Sequence, residues 1–363
     1  MTAATAAVSS AARPTNRSLR HDRRVKRRVI GIVVAVVVIG GVFLFVLPKI
    51  ADYRAVWDTI TGLTWEQLLL LLGVTVLNIV TFAPPFMATL PGLGFIRALV
   101  LTQASTASTY IAPGGAAVGM ALSFAMLRAW GFEPAAVTLA VALTGAWNQM
   151  FLLGAPAVAL ALLTLAGGAN RLLQTVALIG LVVFVVALVA FALALSGDKV
   201  ARWAGDLSAR VATWGLRLMR RKGVTWSGES LVVFRGQAVG LLRRRWWILT
   251  LATLAGQLSV FLVLLTCLRT LGVTPEQVSL TEAFAGWTLV RLLGSLPITP
   301  GGIGIVELGL TGALVGFGGP NDAVVAAVLL YRVLTILPTL ALGLIAGALW
   351  RRLRPEPALE QGV

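Results

Sequence analysis

The chain has 363 residues, of which 58% are apolar and only 12% charged, whereas a soluble domain carries about 25% charged residues. This composition excludes an ordinary soluble protein and indicates a polytopic membrane protein. The net charge of +16 comes from Lys and Arg in tails and loops that border apolar segments, which indicates contact with anionic lipid headgroups and no nucleic acid. A single cysteine, Cys267, and a single histidine, His21, exclude a disulfide framework and the usual metal chemistry, so we expect no cofactor and no metal.

The first half of the chain predicts a basic tail followed by apolar segments. Residues 1–28 form a cytoplasmic tail that we expect to be disordered, and the first transmembrane half covers residues 29–197. Its predicted segments are Val29–Leu47, Glu66–Phe86 with an interruption at Pro84-Pro85, Ala98–Ala112, Gly115–Leu127, Ala135–Leu165 (long enough to kink at Pro156) and Leu172–Leu195. The two short segments meet at Pro113, Gly114 and Gly115, which predicts a re-entrant-like helical hairpin.

A basic connector over residues 198–246 separates the two halves. Apolar residues recur there at three- and four-residue spacing, between cationic residues: Val200, Trp203, Leu207, Val211, Trp214 and Leu218. Such a helix either lies in the membrane interface or packs as a connector on the protein's own underside, and the pattern leaves both alternatives open.

The second transmembrane half covers residues 247–350 and repeats the pattern of short and long segments. We predict segments at Trp247–Cys267, Leu280–Leu296, Ile303–Val315 and Ala323–Trp350, with the short pair joined around Pro300, Gly301 and Gly302. Residues 351–363 form a cytoplasmic tail. The sequence thus predicts an all-α polytopic membrane protein of about eight or nine membrane segments, including two short re-entrant-like hairpins.

The distribution of basic residues predicts the orientation. With the N-terminus and the C-terminus in the cytoplasm, 24 Lys and Arg lie inside and four lie outside, at Lys49, Arg54, Arg171 and Arg269. This asymmetry indicates an integral protein of the cytoplasmic (plasma) membrane.

The two halves resemble each other, and an odd number of segments between the short pairs predicts an inverted repeat. Pro113-Gly114-Gly115 corresponds to Pro300-Gly301-Gly302, and Trp147-Asn148 corresponds to Tyr331-Arg332. Gly- and Pro-interrupted segments at matching positions are typical of secondary transporters. Close helix packing through glycine is the simpler alternative.

Charged residues inside the apolar segments are the strongest candidates for a site, because an ion at the bilayer centre costs about 3 kcal/mol. Arg291 and Arg332 can hold a lipid phosphate while Glu307 tunes or releases it. Alternatively, Glu307 pairs with one arginine and locks the fold. Asn148 is a weaker substrate-binding candidate, drawn in by its alignment with Arg332, and we expect most buried amides to link helices.

Thr299–Glu307, followed by Leu330-Tyr331-Arg332, resembles the lysylphosphatidylglycerol synthase transmembrane family, and the likeness covers about residues 29–350. The resemblance implies a flippase-like domain that translocates a lipid. The first motif has Gly119-Met120 where that family commonly carries an acidic residue after glycine. No aminoacyltransferase domain accompanies the given chain, so we expect any modified lipid to be made by a separate enzyme.

These features predict a flippase-like protein that moves a lipid or lipid-linked headgroup and is not an enzyme. The residues inside the predicted apolar segments include no nucleophile–base pair that catalysis would need. Glu307 is the only acid well inside a segment. The alternative is a non-transporting scaffold that presents the basic connector to a cytoplasmic lipid- or glycan-modifying enzyme.

Overall fold

The computed structural model describes residues 61–112, 115–165, 171–218, 228–295 and 299–350, and helices dominate all of these ranges. The Val29–Leu47 segment, both tails and the Pro113-Gly114 step lie outside them. In chain order, the helices are α1 (Trp65–Thr81), α2 (Pro84–Thr89), α3 (Phe95–Ile111), α4 (Gly115–Ala129), α5 (Pro134–Leu165), α6 (Arg171–Ser196), α7 (Asp198–Leu218), α8 (Gly228–Thr270), α9 (Leu280–Gly294), a 3-10 turn (Pro300–Gly302), α10 (Ile305–Gly316) and α11 (Asn321–Leu349).

Five helical stretches within the described ranges are long and apolar enough to cross a bilayer. They are Trp65–Thr89, Pro134–Leu165, Leu178–Ser196, Gly228–Thr270 and Asn321–Gly347, and α4 and α10 are shorter apolar helices. The chain is therefore an all-helical integral membrane protein, as its composition predicts.

Local sequence explains where several helices begin and end. α1 starts with a capping box in which Thr64 and Gln67 bond to each other's backbone, and Ser279 and Glu282 do the same for α9. The predicted interruption at Pro84-Pro85 is confirmed, since α1 ends at Thr81 and α2 begins at Pro84.

The basic connector does not end where the second half was predicted to begin. α8 is one helix of 43 residues that runs through Trp246 and Trp247. Loss of apolar character marks where a helix leaves a membrane, but it does not interrupt the backbone hydrogen bonds of the helix.

The two halves interlock through their short helix pairs. α3, the first helix of the first pair, packs on α11, whereas α9, its counterpart in the second half, packs on α5. Glycine allows the close approach of α3 and α11, because a Cβ on Gly343 would lie 2.2 Å from that of Ala107. The first helix of each short pair thus packs on a long helix of the other half.

Helix α7 separates the two alternatives for the connector. Its small residues Ala201 and Gly205 are buried, whereas Trp203 and Trp214 are 66% and 70% exposed on the other side. The described part of the apolar stripe thus points away from the protein, as the interfacial alternative requires. The structure does not pack that stripe on the protein's underside.

Candidate functional site

Glu307 and Arg332 form a buried ion pair. Glu307 lies in the first turn of α10, where its Oε2 accepts a hydrogen bond from the backbone N–H of Gly304 at 2.6 Å. Its Oε1 accepts from Nε of Arg332 on α11, also at 2.6 Å. The two residues are only 2% and 7% exposed. A carboxylate at a helix N-terminus is further stabilised by the backbone N–H groups there.

Arg332 also holds the turn between α9 and α10. Its Nη2 donates to the carbonyl oxygen of Gly301 at 3.2 Å. Gly301 and Gly302 have φ of 62° and 67°, a left-handed conformation that a Cβ would penalise, so glycine suits both positions of this turn. The sequence left open whether Glu307 locks the fold, and the structure shows that Arg332 ties α11, the turn and α10 together.

Arg291 has a different environment from Arg332. It lies half-buried on α9 with its guanidinium carbon 5.1 Å from the ring centroid of Trp287, and no carboxylate of the described residues pairs with it. Trp287 is fully buried and donates from Nε1 to the hydroxyl of Tyr331, the residue before Arg332, at 3.4 Å. Arg291 is therefore the cation of this region that remains available to an anion.

Tyr110 joins the site from the first half, which the sequence did not predict. A Cβ on Gly301 would lie 2.1 Å from a ring carbon of Tyr110. The end of α3 therefore packs directly on the turn between α9 and α10, the second of the two Pro-Gly-Gly turns. The phenol lies within range of the charges of Arg332, Arg291 and Glu307. A tyrosine near the end of an apolar segment has no distinguishing pattern, and only its place just before Pro113 pointed to a turn.

The other predicted positions lie elsewhere or serve the packing. Asn148 on α5 accepts a hydrogen bond from Nε2 of Gln257 on α8, and the structure does not bond it to the charged residues. Gly115 starts α4 so close to α3 that a Cβ would lie 2.2 Å from the carbonyl oxygen of Thr109. Pro300 begins the second turn, whereas Pro113 and Gly114 fall outside the described residues.

The described groups of the site suit an anion better than a metal ion. In the described ranges, no group of three or more His, Cys, Asp or Glu comes together as a metal site would require. What the structure does bring together is an available guanidinium, an aromatic surface and a phenol, at the contact between the ends of the two short helix pairs.

The sequence matches the profile of a known membrane-protein family. The family profile described as lysylphosphatidylglycerol synthase TM region matches residues 29–343, which is most of the chain. No curated protein matches the chain.

Proposed function

Because the chain belongs to the lysylphosphatidylglycerol synthase transmembrane-region family, a family of membrane proteins related to lipid function, we propose that it translocates a lipid or lipid-linked headgroup across the cytoplasmic membrane. The observation that carries this proposal is the guanidinium of Arg291, which lies near the contact of Tyr110 with Gly301 without a carboxylate partner among the described residues.

In this scheme, Arg291 binds the headgroup phosphate while the acyl tails stay in the bilayer. A guanidinium matches phosphate geometry and can donate two parallel hydrogen bonds to it. The Glu307–Arg332 pair keeps the second turn in place so that Arg291 and Tyr110 stay close. Irregular backbone at membrane depth is tolerated where it lines a polar cavity or is buried in protein, as at this turn.

The face of α3 that meets the second half supplies the polar part of the path. Gln103 and Tyr110 lie seven residues apart on this face, since the backbone of Gln103 touches Gly343 and the ring of Tyr110 touches Gly301. Oε1 of Gln103 is buried and has no hydrogen-bond partner in the described part of the chain. A headgroup that passes along α3 would meet this acceptor and the phenol in turn.

The proposal is tested by reconstituting the protein in liposomes with fluorescent headgroup-labelled lipids and measuring how fast the label of the inner leaflet becomes accessible to an external quencher. Arg291→Gln should abolish translocation with only a small loss of stability, because Arg291 loses its contact with the ring of Trp287 but no ion pair among the described residues. Arg243→Gln is the matched control, since Arg243 is an exposed arginine on α8. Translocation at the wild-type rate in Arg291→Gln would contradict the proposal.

In the same proposal, the chain moves the lipid without changing its covalent structure, and a separate enzyme makes any modified lipid. Both termini lie in the cytoplasm, where the basic residues contact anionic lipids. Labelling of cysteines introduced into the two tails, in sealed cells and after lysis, tests this orientation. Labelling of either tail in sealed cells would contradict it.

A second candidate function is a scaffold without transport, and the exposed tryptophans of α7 favour it. Trp203 and Trp214 project from the protein beside Lys199, Arg202 and Arg210, as a docking surface for a cytoplasmic enzyme would. Neutralising the three cations would then remove the cellular phenotype while Arg291→Gln leaves it unchanged. The opposite result favours translocation.

A further inference from the structure

Three helical segments meet at a polar junction between the two halves, away from the hydrogen bonds of Arg332: the break between α1 and α2, α5, and α8. Pro84 and Pro85 break the segment of α1 and α2, and neither has the amide hydrogen that a helix would offer to the carbonyl oxygen of Thr81. This carbonyl oxygen points at α8, because a Cβ on Gly256 would lie 3.2 Å from it. The break thus directs an acceptor without a helical donor towards α8.

α8 brings two further oxygen acceptors to the same junction. Thr253 and Gln257 are one helical turn apart on adjoining positions of α8, and they are 7% and 3% exposed. Oγ1 of Thr253 and Oε1 of Gln257 are buried, and neither finds a hydrogen-bond partner among the described residues. Two buried acceptors without a donor, next to a broken helix, call for a ligand that is positively charged or donates hydrogen bonds.

α5 closes the junction on its third side. Asn148 uses its Oδ1 to accept from Nε2 of Gln257, so the remaining amide oxygen of Gln257 is fixed in place. One turn earlier, the hydroxyl of Thr144 lies 3.2 Å from that of Thr89 on α2. These bonds hold α2, α5 and α8 around the acceptors.

We propose that this junction binds a monovalent cation such as sodium. The oxygens that α1, α5 and α8 bring to this junction come from a hydroxyl, amides and a backbone carbonyl, and all of them are neutral. Divalent cations are held by carboxylates, whereas neutral oxygens at broken helices coordinate the coupling ions of secondary transporters.

The internal repeat supports this assignment independently. Asn148 occupies the position that corresponds to Arg332 in the second half. The second half therefore supplies its own positive charge at this position through a guanidinium, which bonds to Glu307 and to a backbone carbonyl. The first half carries a neutral side chain there, bonded to Gln257 beside the buried oxygens of α8 that lack donors, so a free cation supplies the charge that the side chain lacks.

Sodium binding is tested on the purified full chain, without lipid translocation, so that failure of the proposed function and failure of this inference remain distinguishable. The unfolding midpoint is measured while sodium chloride replaces choline chloride at constant ionic strength. The midpoint of the wild type should rise with sodium and then level off, because a ligand that binds only the folded state stabilises it. Equilibrium binding of radioactive sodium gives the affinity directly.

Thr253→Val removes one acceptor at nearly constant volume, and Gln257→Leu removes the other. Both should lower sodium affinity at least tenfold and abolish the midpoint shift. Thr266→Val is the matched control, because Thr266 lies on the same helix and is buried to the same degree, at 8% exposed. A wild-type midpoint that is equal in sodium and choline would show that the junction holds water only. That result, or a full sodium response in folded Thr253→Val, overturns the inference.

Discussion

Removal of one partner of the Glu307–Arg332 pair should destabilise the protein strongly, whereas removal of both should cost much less. Glu307→Gln leaves the guanidinium of Arg332, 7% exposed, without a carboxylate to balance its charge. The new amide also has one acceptor oxygen where the carboxylate used two, for Gly304 and Arg332. Breaking a buried pair in this way costs about 3–5 kcal/mol.

The double variant Glu307→Gln/Arg332→Gln places two neutral amides where the charges were. No ion is then left unpaired at membrane depth, and the two amides can bond to each other. We expect the double variant to be more stable than either single variant, with a coupling free energy of about 2 kcal/mol or more in a double-mutant cycle.

The chain contains its own reporter for this measurement. Cys267 is the only cysteine and is fully buried in α8, so a fluorogenic thiol reagent reacts with it only when the protein unfolds. Thermal or denaturant unfolding followed by this reaction should place the midpoints in the order wild type, double variant, single variants. The reasoning from burial would be refuted if the free energy of unfolding of Glu307→Gln lay within about 0.5 kcal/mol of the wild type. It would also be refuted if the losses of the two single variants added fully in the double variant. Loss of translocation in Glu307→Gln alone is therefore not evidence of a transport role for Glu307.

Three further predictions concern glycine contacts and α7. Gly301→Ala should lower the free energy of unfolding by more than about 1 kcal/mol, because φ is positive and a Cβ would overlap Tyr110; Tyr110→Ala in the same chain should recover part of the loss. Gly343→Ala should be at least as destabilising in the same thiol assay, since its Cβ would overlap the side chain and backbone of α3; an unchanged midpoint would contradict the packing of α3 on α11. The double variant Trp203→Ser/Trp214→Ser should abolish the protection of α7 from hydrogen exchange in nanodiscs of anionic lipid, while its unfolding midpoint stays unchanged. If wild-type α7 were protected equally in detergent and in nanodiscs, that would argue against a lipid contact.

Local rules account for most of the fold that the sequence predicted. Apolar length located α5 and α11, and the missing amide hydrogens of Pro84 and Pro85 located the break after α1. Hydropathy did not locate the start of α8, which lies 19 residues before Trp247. Residues 228–246 contain four Arg, three Leu and no Pro, so the helix continues through them although they lose the composition of a membrane span.

The site was predictable only in part, because its pairing depends on tertiary structure. The cost of an intramembrane ion singled out Glu307, Arg291 and Arg332, and the glycine turn followed from the need for positive φ. Spacing along the chain could not decide which arginine takes the carboxylate, since the packing of α11 against α10 decides it. Asn148 became a weaker candidate because it aligns with Arg332 between the two halves. In the structure, however, Asn148 forms a hydrogen bond with Gln257 on α8.

If the protein translocates lipids as proposed, the charge balance of the site determines which headgroup charge it favours. Glu307 and Arg332 cancel each other within the fold, so the uncompensated charge among the three candidates is the guanidinium of Arg291. A site with one available cation and no available carboxylate favours an anionic headgroup and repels a headgroup with added ammonium groups. We therefore expect phosphatidylglycerol to compete with the labelled lipid for translocation and its lysyl ester to compete poorly. Better competition by the lysyl ester would mean that Glu307 leaves Arg332 during transport, and the pair would then be a working part of the site.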